Sequence, residues 1–182
     1  MMKRRLFNAT LLATPWTALA QPDELAARLR AGGCAVLLRH AQTEPGIGDP
    51  PGFRLDQCSS QRNLDDEGRA QSARIGQWFQ SRGLQPRAVQ SSVWCRCIDT
   101  ARLAFGRHQT WPALNSFFGG PERGDAQTAQ LRAALAAIPA GQFEVWVTHQ
   151  VNISALSGEG TSMGEALVVD TRGKMVARST FN

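Results

Sequence analysis

Arg39 and His40 stand side by side directly after an apolar run, residues 34–38, and this pair is the first candidate for chemistry along the chain. An imidazole attacks phosphorus well when one ring nitrogen is free and the other is fixed by a hydrogen bond, which a strand end in a dry cleft can arrange. A neighbouring guanidinium grips phosphoryl oxygens in bidentate fashion and neutralises the charge spread over them. A lone Arg-His pair is better explained as a surface ion-pair partner beside a satisfied histidine, so the reading depends on what else reaches the same place. Ser91, Ser92 and Arg96 follow a second strand-like stretch, and His149 ends a third, Phe143-Glu144-Val145-Trp146-Val147-Thr148.

These residues are distant in sequence, so an architecture must gather them. Pro22 followed by Asp23, Glu24 and Leu25 opens a short helix that Gly32-Gly33 ends. Residues 34–38 form a continuous apolar run of strand length, the mark of a strand buried on both faces. The stretch from Ala41 to Asn63, rich in Pro, Gly and polar residues, reads as a long loop of functional kind. Asp65 or Asp66 caps a helix to about Arg82, with Ala70, Ala73, Ile75, Gly76 and Phe79 near helical spacing. A strand over 88–92, helices over 97–105 and 127–138, the strand over 143–148 and a hairpin with arms at 166–170 and 174–178 complete the pattern. Strands alternating with helices predict an α/β fold, a three-layer sandwich with a largely parallel central sheet flanked by helices. Ligands of such sheets lie outside the carboxyl ends of the strands, where Arg39, His40, Ser91, Ser92 and His149 all fall.

With these motifs in order, the sequence resembles the histidine phosphatase superfamily, the phosphoglycerate-mutase-like proteins. Arg39-His40-Ala41 matches the R-H-G or R-H-A tripeptide of that family, continued by Gln42-Thr43. Leu64 to Gln71 is similar to its L-(S/T)-x-x-G-x-x-Q segment, with Asp65 in place of the hydroxyl residue. Ser91 to Ala101 resembles its S-S-x-x-x-R-x-x-x-T-A block, placing Arg96 on the phosphate-binding arginine, and Val147-Thr148-His149 matches the strand that delivers a second pocket histidine. The resemblance implies His40, Arg39, Arg96 and His149 as catalytic residues, with Arg39, Arg96, His149 and Thr43 binding the substrate. It implies a phosphohistidine on His40 that water then hydrolyses. No metal and no cofactor are expected, because the arginines and a protonated His149 would supply the positive charge.

One departure concerns the acid that protonates the leaving oxygen. Gln150 follows His149 where some members of the family carry an aspartate, and Leu114-Asn115-Ser116-Phe117-Phe118 holds no glutamate where others do. Glu44, Asp49, Glu122 and Asp125 are the remaining candidates. The first two lie in the loop after the nucleophile and the others in a Gly-rich stretch read as a lid. A phosphoanhydride, a phosphoramidate or an anomeric sugar phosphate would need less acid help than an alkyl ester.

Composition bounds the setting. Lys3-Arg4-Arg5, an apolar stretch over 6–18 and Ala18-Leu19-Ala20 have the layout of a cleavable signal peptide over residues 1–20, with one phosphatase-like domain over 21–182. The apolar run is shorter than a bilayer span, so no stable membrane insertion is expected after cleavage. Without those 20 residues, which carry three basic side chains and no acid, 162 residues remain and the formal charge falls from +5 to +2, which disfavours nucleic acid as a partner. Of the 20 basic residues only Lys3 and Lys174 are lysine, an arginine bias suited to phosphate. Export to the periplasm or medium would let cysteines pair. Cys95 and Cys97 flank Arg96 too closely to bridge easily, so Cys58 with one of them is the preferred disulfide, tying the loop before residue 62 to the helix after residue 94. No C-x-x-C spacing suggests zinc.

The expected function is an exported, metal-independent phosphomonoesterase acting on a small phosphorylated molecule. Two rivals follow from the missing acid and from the fold family: a phosphate-ester-binding protein without efficient turnover, and a phosphohistidine protein phosphatase.

Overall fold

The computed structural model describes residues 22–181; the signal-like segment over 1–20 lies outside the described residues. Helix α1 (Pro22–Ala31) precedes strand β1 (Cys34–Arg39), whose residues 34–38 are all buried, as expected of a central strand. After the long loop come α2 (Asp66–Ser81), β2 (Ala88–Ser91), α3 (Cys95–Phe105) and a two-residue strand β3 (Gln109–Thr110). Then follow α4 (Gly124–Ala136), β4 (Phe143–Thr148), α5 (Gln150–Ser157), β5 (Ala166–Asp170) and β6 (Met175–Ser179). The six strands form one sheet in the order β3-β2-β4-β1-β5-β6. β3, β2, β4 and β1 run parallel, and β5 and β6 add an antiparallel edge.

Alternation along the strands builds the three layers, because successive side chains leave a strand on opposite faces. Val36 and Leu38 of β1 pack with Val89, Val145, Val147 and Val168 against α1, α2 and α3, where Leu25, Leu29, Ile75, Trp78 and Phe79 close the core. Ala35, Leu37, Trp146, Leu167 and Val169 face the other way, toward Leu131 and Leu135 of α4 and Ile153 and Leu156 of α5. Each large aliphatic side chain so enclosed stabilises the fold by about 1.5–3 kcal/mol. The sandwich expected from the sequence is therefore present, its sheet parallel through the centre and antiparallel at the β5–β6 edge.

Local chemistry sets the boundaries. Asp65 caps α2 by accepting a hydrogen bond from the Gly68 N–H at 2.7 Å. Gly68 is packed so closely on the Gln42 carbonyl that a Cβ would strike it, and this contact lays the loop after His40 against the first turn of α2. α3 starts two residues earlier than its apolar spacing predicts, and α4 three residues earlier. The Gly-rich stretch that carries Glu122 and Asp125 forms a short 3₁₀ turn, Pro121–Arg123, running into α4. The segment after His149, for which the sequence pattern gives no element, is helix α5, with His149 in extended backbone at its N-cap.

Candidate active site

The parallel strands end side by side and bring the expected residues to one edge. Arg39 is level with Thr148 on the neighbouring β4, and Ser91 with Val147. His40 and His149, the residues just past β1 and β4, therefore meet with ring centroids 5.5 Å apart in an edge-on arrangement. Backbone bonds hold the turn: the His40 N–H donates to Thr148 O, the Ala41 N–H to Thr100 Oγ1, and the Gly164 N–H to His40 O.

His40 is 3% exposed, and its Nδ1 lies 2.9 Å from the Ala41 carbonyl oxygen. A carbonyl can only accept, so Nδ1 carries the proton and Nε2 keeps its lone pair. Burial, reinforced by the Arg96 charge, pushes the imidazole down to about 3. His40 is thus a neutral imidazole with a fixed tautomer, the form a nucleophile requires.

His149 is buried as well, with Nε2 2.9 Å from Ser92 Oγ and 3.5 Å from Cys97 Sγ, and the Trp94 ring edge-on at 5.2 Å. Burial first, then His40 and Arg96, hold its pKa well below the usual value. Against the expectation of a protonated His149, burial in the free pocket favours the neutral imidazole and leaves the positive charge to the arginines.

Those arginines number three. Arg39 Nη1 donates to Thr161 O at 2.6 Å and to Gln150 Oε1 at 3.4 Å. Arg96, 4% exposed, donates from Nη1 to Asp49 Oδ1 at 2.7 Å and from Nη2 to Asp49 Oδ2 at 3.3 Å. Arg62, which the sequence reading passed over, donates from Nη1 to Thr43 Oγ1 at 2.7 Å and to Gly46 O at 3.0 Å. Burial and the charges of Arg62 and Arg96 lower Arg39, and burial and Arg96 lower Arg62, so the three guanidiniums feel one another. Thr43 lies fully buried, its hydroxyl engaged by Arg62 and by Met163 Sδ, so it holds an arginine in place.

The acid candidates separate cleanly. Asp49 is pinned by Arg96, by the Trp94 indole N–H at 2.9 Å and by the Arg62 N–H at 3.0 Å. Burial works to raise its carboxyl, but the Arg96 bond and charge outweigh it and keep Asp49 below the carboxylate range. Glu44 and Asp125 are exposed, and Glu122 is exposed beside Arg123. Gln150 serves Arg39 and Thr161, and Asn152 donates to Asn115 O, so neither orients His149. That task falls to Ser92, which Asn115 also contacts.

The loop carrying Asp49 and Arg62 is fastened to the site. A Cys58–Cys95 disulfide joins it to the first residue of α3, beside Arg96, and Gln61 Oε1 accepts from the Cys95 N–H. This is one of the two expected pairings; Cys97 stays free and buried, its thiol pushed up to about 12 by burial. Among the described residues no group of three or more His, Cys, Asp or Glu side chains has metal-binding spacing, and no helix is long and apolar enough to cross a membrane.

A sequence model of the histidine phosphatase superfamily (branch 1) matches residues 35–121, which include Arg39, His40, Arg62 and Arg96. No curated protein matches the sequence. Among solved structures, the fold is similar to the putative phosphohistidine phosphatase SixA from Agrobacterium tumefaciens, with TM-score 0.56 and 21% identity over 81% of this chain and 97% of that one. It is similar to the protein histidine phosphatase SixA complexed with tungstate, with TM-score 0.54 and 13% identity over 81% and 97%. TTHB049 from Thermus thermophilus gives 0.54 and 20% over 80% and 98%.

Proposed function

Because a model of the histidine phosphatase superfamily (branch 1) matches residues 35–121, we propose that the chain is a member of that superfamily and hydrolyses phosphate monoesters through a phosphohistidine on His40, without a metal, in the periplasm or the medium. The observation that carries the reading is the His40 tautomer: Nδ1–H is spent on the Ala41 carbonyl, and Nε2 is left for attack. In the first step the Nε2–P bond forms and the P–O bond to the leaving group breaks, while Arg39 and Arg96 take up charge on the phosphoryl oxygens. In the second, water adds to phosphorus, the P–N bond breaks and the imidazole returns; the leaving oxygen departs as an anion and is protonated from solvent, to which the attacking water gives up its proton. Both histidines start neutral, so the arginines carry the electrostatic work.

Export is supported by the signal-like segment over 1–20 and by the Cys58–Cys95 bridge, which an oxidising compartment favours. Among the described residues no carboxyl group is hydrogen-bonded to His40, which points to substrates with good leaving groups. The same observation, together with the fold shared with a protein histidine phosphatase, favours a second reading: a phosphohistidine protein phosphatase, whose substrate is a phosphoramidate. The experiment is hydrolysis of an aryl phosphate and of a phosphohistidine peptide by residues 21–182, with chelator, beside His40→Ala. Chelator-resistant turnover of the ester that vanishes in the variant is expected; turnover of the peptide alone selects the second reading. Anion binding with no turnover of either overturns both and leaves a binding protein.

A further inference from the structure

Each of the three pocket arginines is tied down by the same end. Nη1 of Arg39 is spent on Thr161 O and Gln150, Nη1 of Arg62 on Thr43 and Gly46 O, and Nη1 of Arg96 on Asp49. In each, Nε is buried and has no hydrogen-bond partner among the described residues. A guanidinium offers two bidentate edges, one across its two terminal nitrogens and one across Nε and Nη2. Asp49 takes the first edge of Arg96 and leaves the second. Arg82, which also has a buried unpaired Nε, lies over the Trp78 ring at 4.5 Å, away from this site. Three unsatisfied, charged N–H groups around two neutral histidines lack an acceptor, and buried donors of this kind call for one.

Resting on the phosphatase reading above, we propose that Arg62 is a third substrate-binding arginine, whose Nε–Nη2 edge joins those of Arg39 and Arg96 on a dianionic phosphate group. Charge agrees with this assignment. Glu165, whose charge Arg39 also feels, is paired with Arg178 at 2.9 Å, so three guanidiniums against the carboxylate of Asp49 leave two positive charges, the complement of a phosphate monoester dianion. Arg62 also acts by field on both histidines, lowering His40 and His149 together with Arg39 and Arg96. Thr43 and the disulfide-fastened loop set its position, so the loop after the nucleophile forms a wall of the pocket.

The experiment is calorimetric titration of tungstate and of inorganic phosphate into wild type, Arg62→Ala, Arg62→Lys and Arg39→Ala, with KM and kcat for an aryl phosphate alongside. Removing a charge-assisted bidentate contact is expected to weaken anion binding and raise KM about tenfold or more. The lysine variant should recover only part, because one ammonium cannot hold Thr43 and the anion together; it also serves if the alanine variant fails to fold. Wild-type affinity in both Arg62 variants would overturn the proposal while leaving the phosphatase reading intact if Arg39→Ala still loses the anion. Arg62-dependent binding without turnover would do the reverse. No anion binding by the wild type would overturn it outright.

Discussion

Asp49 grips Arg96 end-on, with Oδ1 2.7 Å from Nη1 and Oδ2 3.3 Å from Nη2, and the two side chains are 6% and 5% exposed. A buried pair of this kind gains little over an apolar pair, but removing one partner strands the other charge. Asp49→Ala is expected to lower stability by about 3–5 kcal/mol. Saturating phosphate should restore more stability to the variant than it adds to wild type, since the ligand then supplies the missing counter-charge. Thermal melts with and without phosphate check both; a variant as stable as wild type would mean Asp49 does not balance Arg96.

Acid should destabilise the protein through its histidines. Folded His40 sits at about 3 against 6.5 in the unfolded chain, so between these values the unfolded chain binds the more protons. The stability contributed is fully present above about 6.5 and is lost as pH falls toward 3, amounting to several kcal/mol at roughly 1.4 kcal/mol per unit. His149, also lowered, acts in the same window, and Asp49, held below 3.8, extends the loss at the acid end. Denaturation midpoints from pH 7 to 4 should fall steadily, and less steeply in His40→Gln. A flat profile would place the histidines in a wetter site.

The disulfide couples stability to the pocket. Its closure spans a sequence separation of 37, worth up to about 4 kcal/mol in the loop-entropy account. Replacing Cys58 and Cys95 by serine should cost up to that amount and also raise KM, because Asp49 and Arg62 lie on the loop so released. Melting curves and KM on the double variant test this; lost stability with unchanged KM would show the loop holding its place without the bridge.

Much of this arrangement was legible in the sequence. β1 and β4 announce themselves as apolar runs of strand length, and their ends deliver His40 and His149 whatever the loops do. Helix α5 escaped because Gln150-Val151-Asn152-Ile153-Ser154 is short and carries residues at home in strands or turns; its helicity comes from Ile153 and Leu156 packing under the sheet. β3 is two residues long and has no pattern to read. Arg62 and Asp49 sit in a loop without periodicity, where one arginine looks like any other. The signals available were the arginine bias and the cysteine at position 58, which would have tied that loop to Arg96.

The central claim is that phosphorus passes through Nε2 of His40. Rapid quench of residues 21–182 turning over an aryl phosphate, followed by mapping of the phosphorylated peptide under alkaline conditions, tests it most directly. A phosphoryl group on His40 that is stable to base and lost in acid, formed and consumed at rates compatible with turnover and missing in His40→Ala, is the expected result. Turnover with no phosphoryl group on His40, or with one on another residue, would contradict the account.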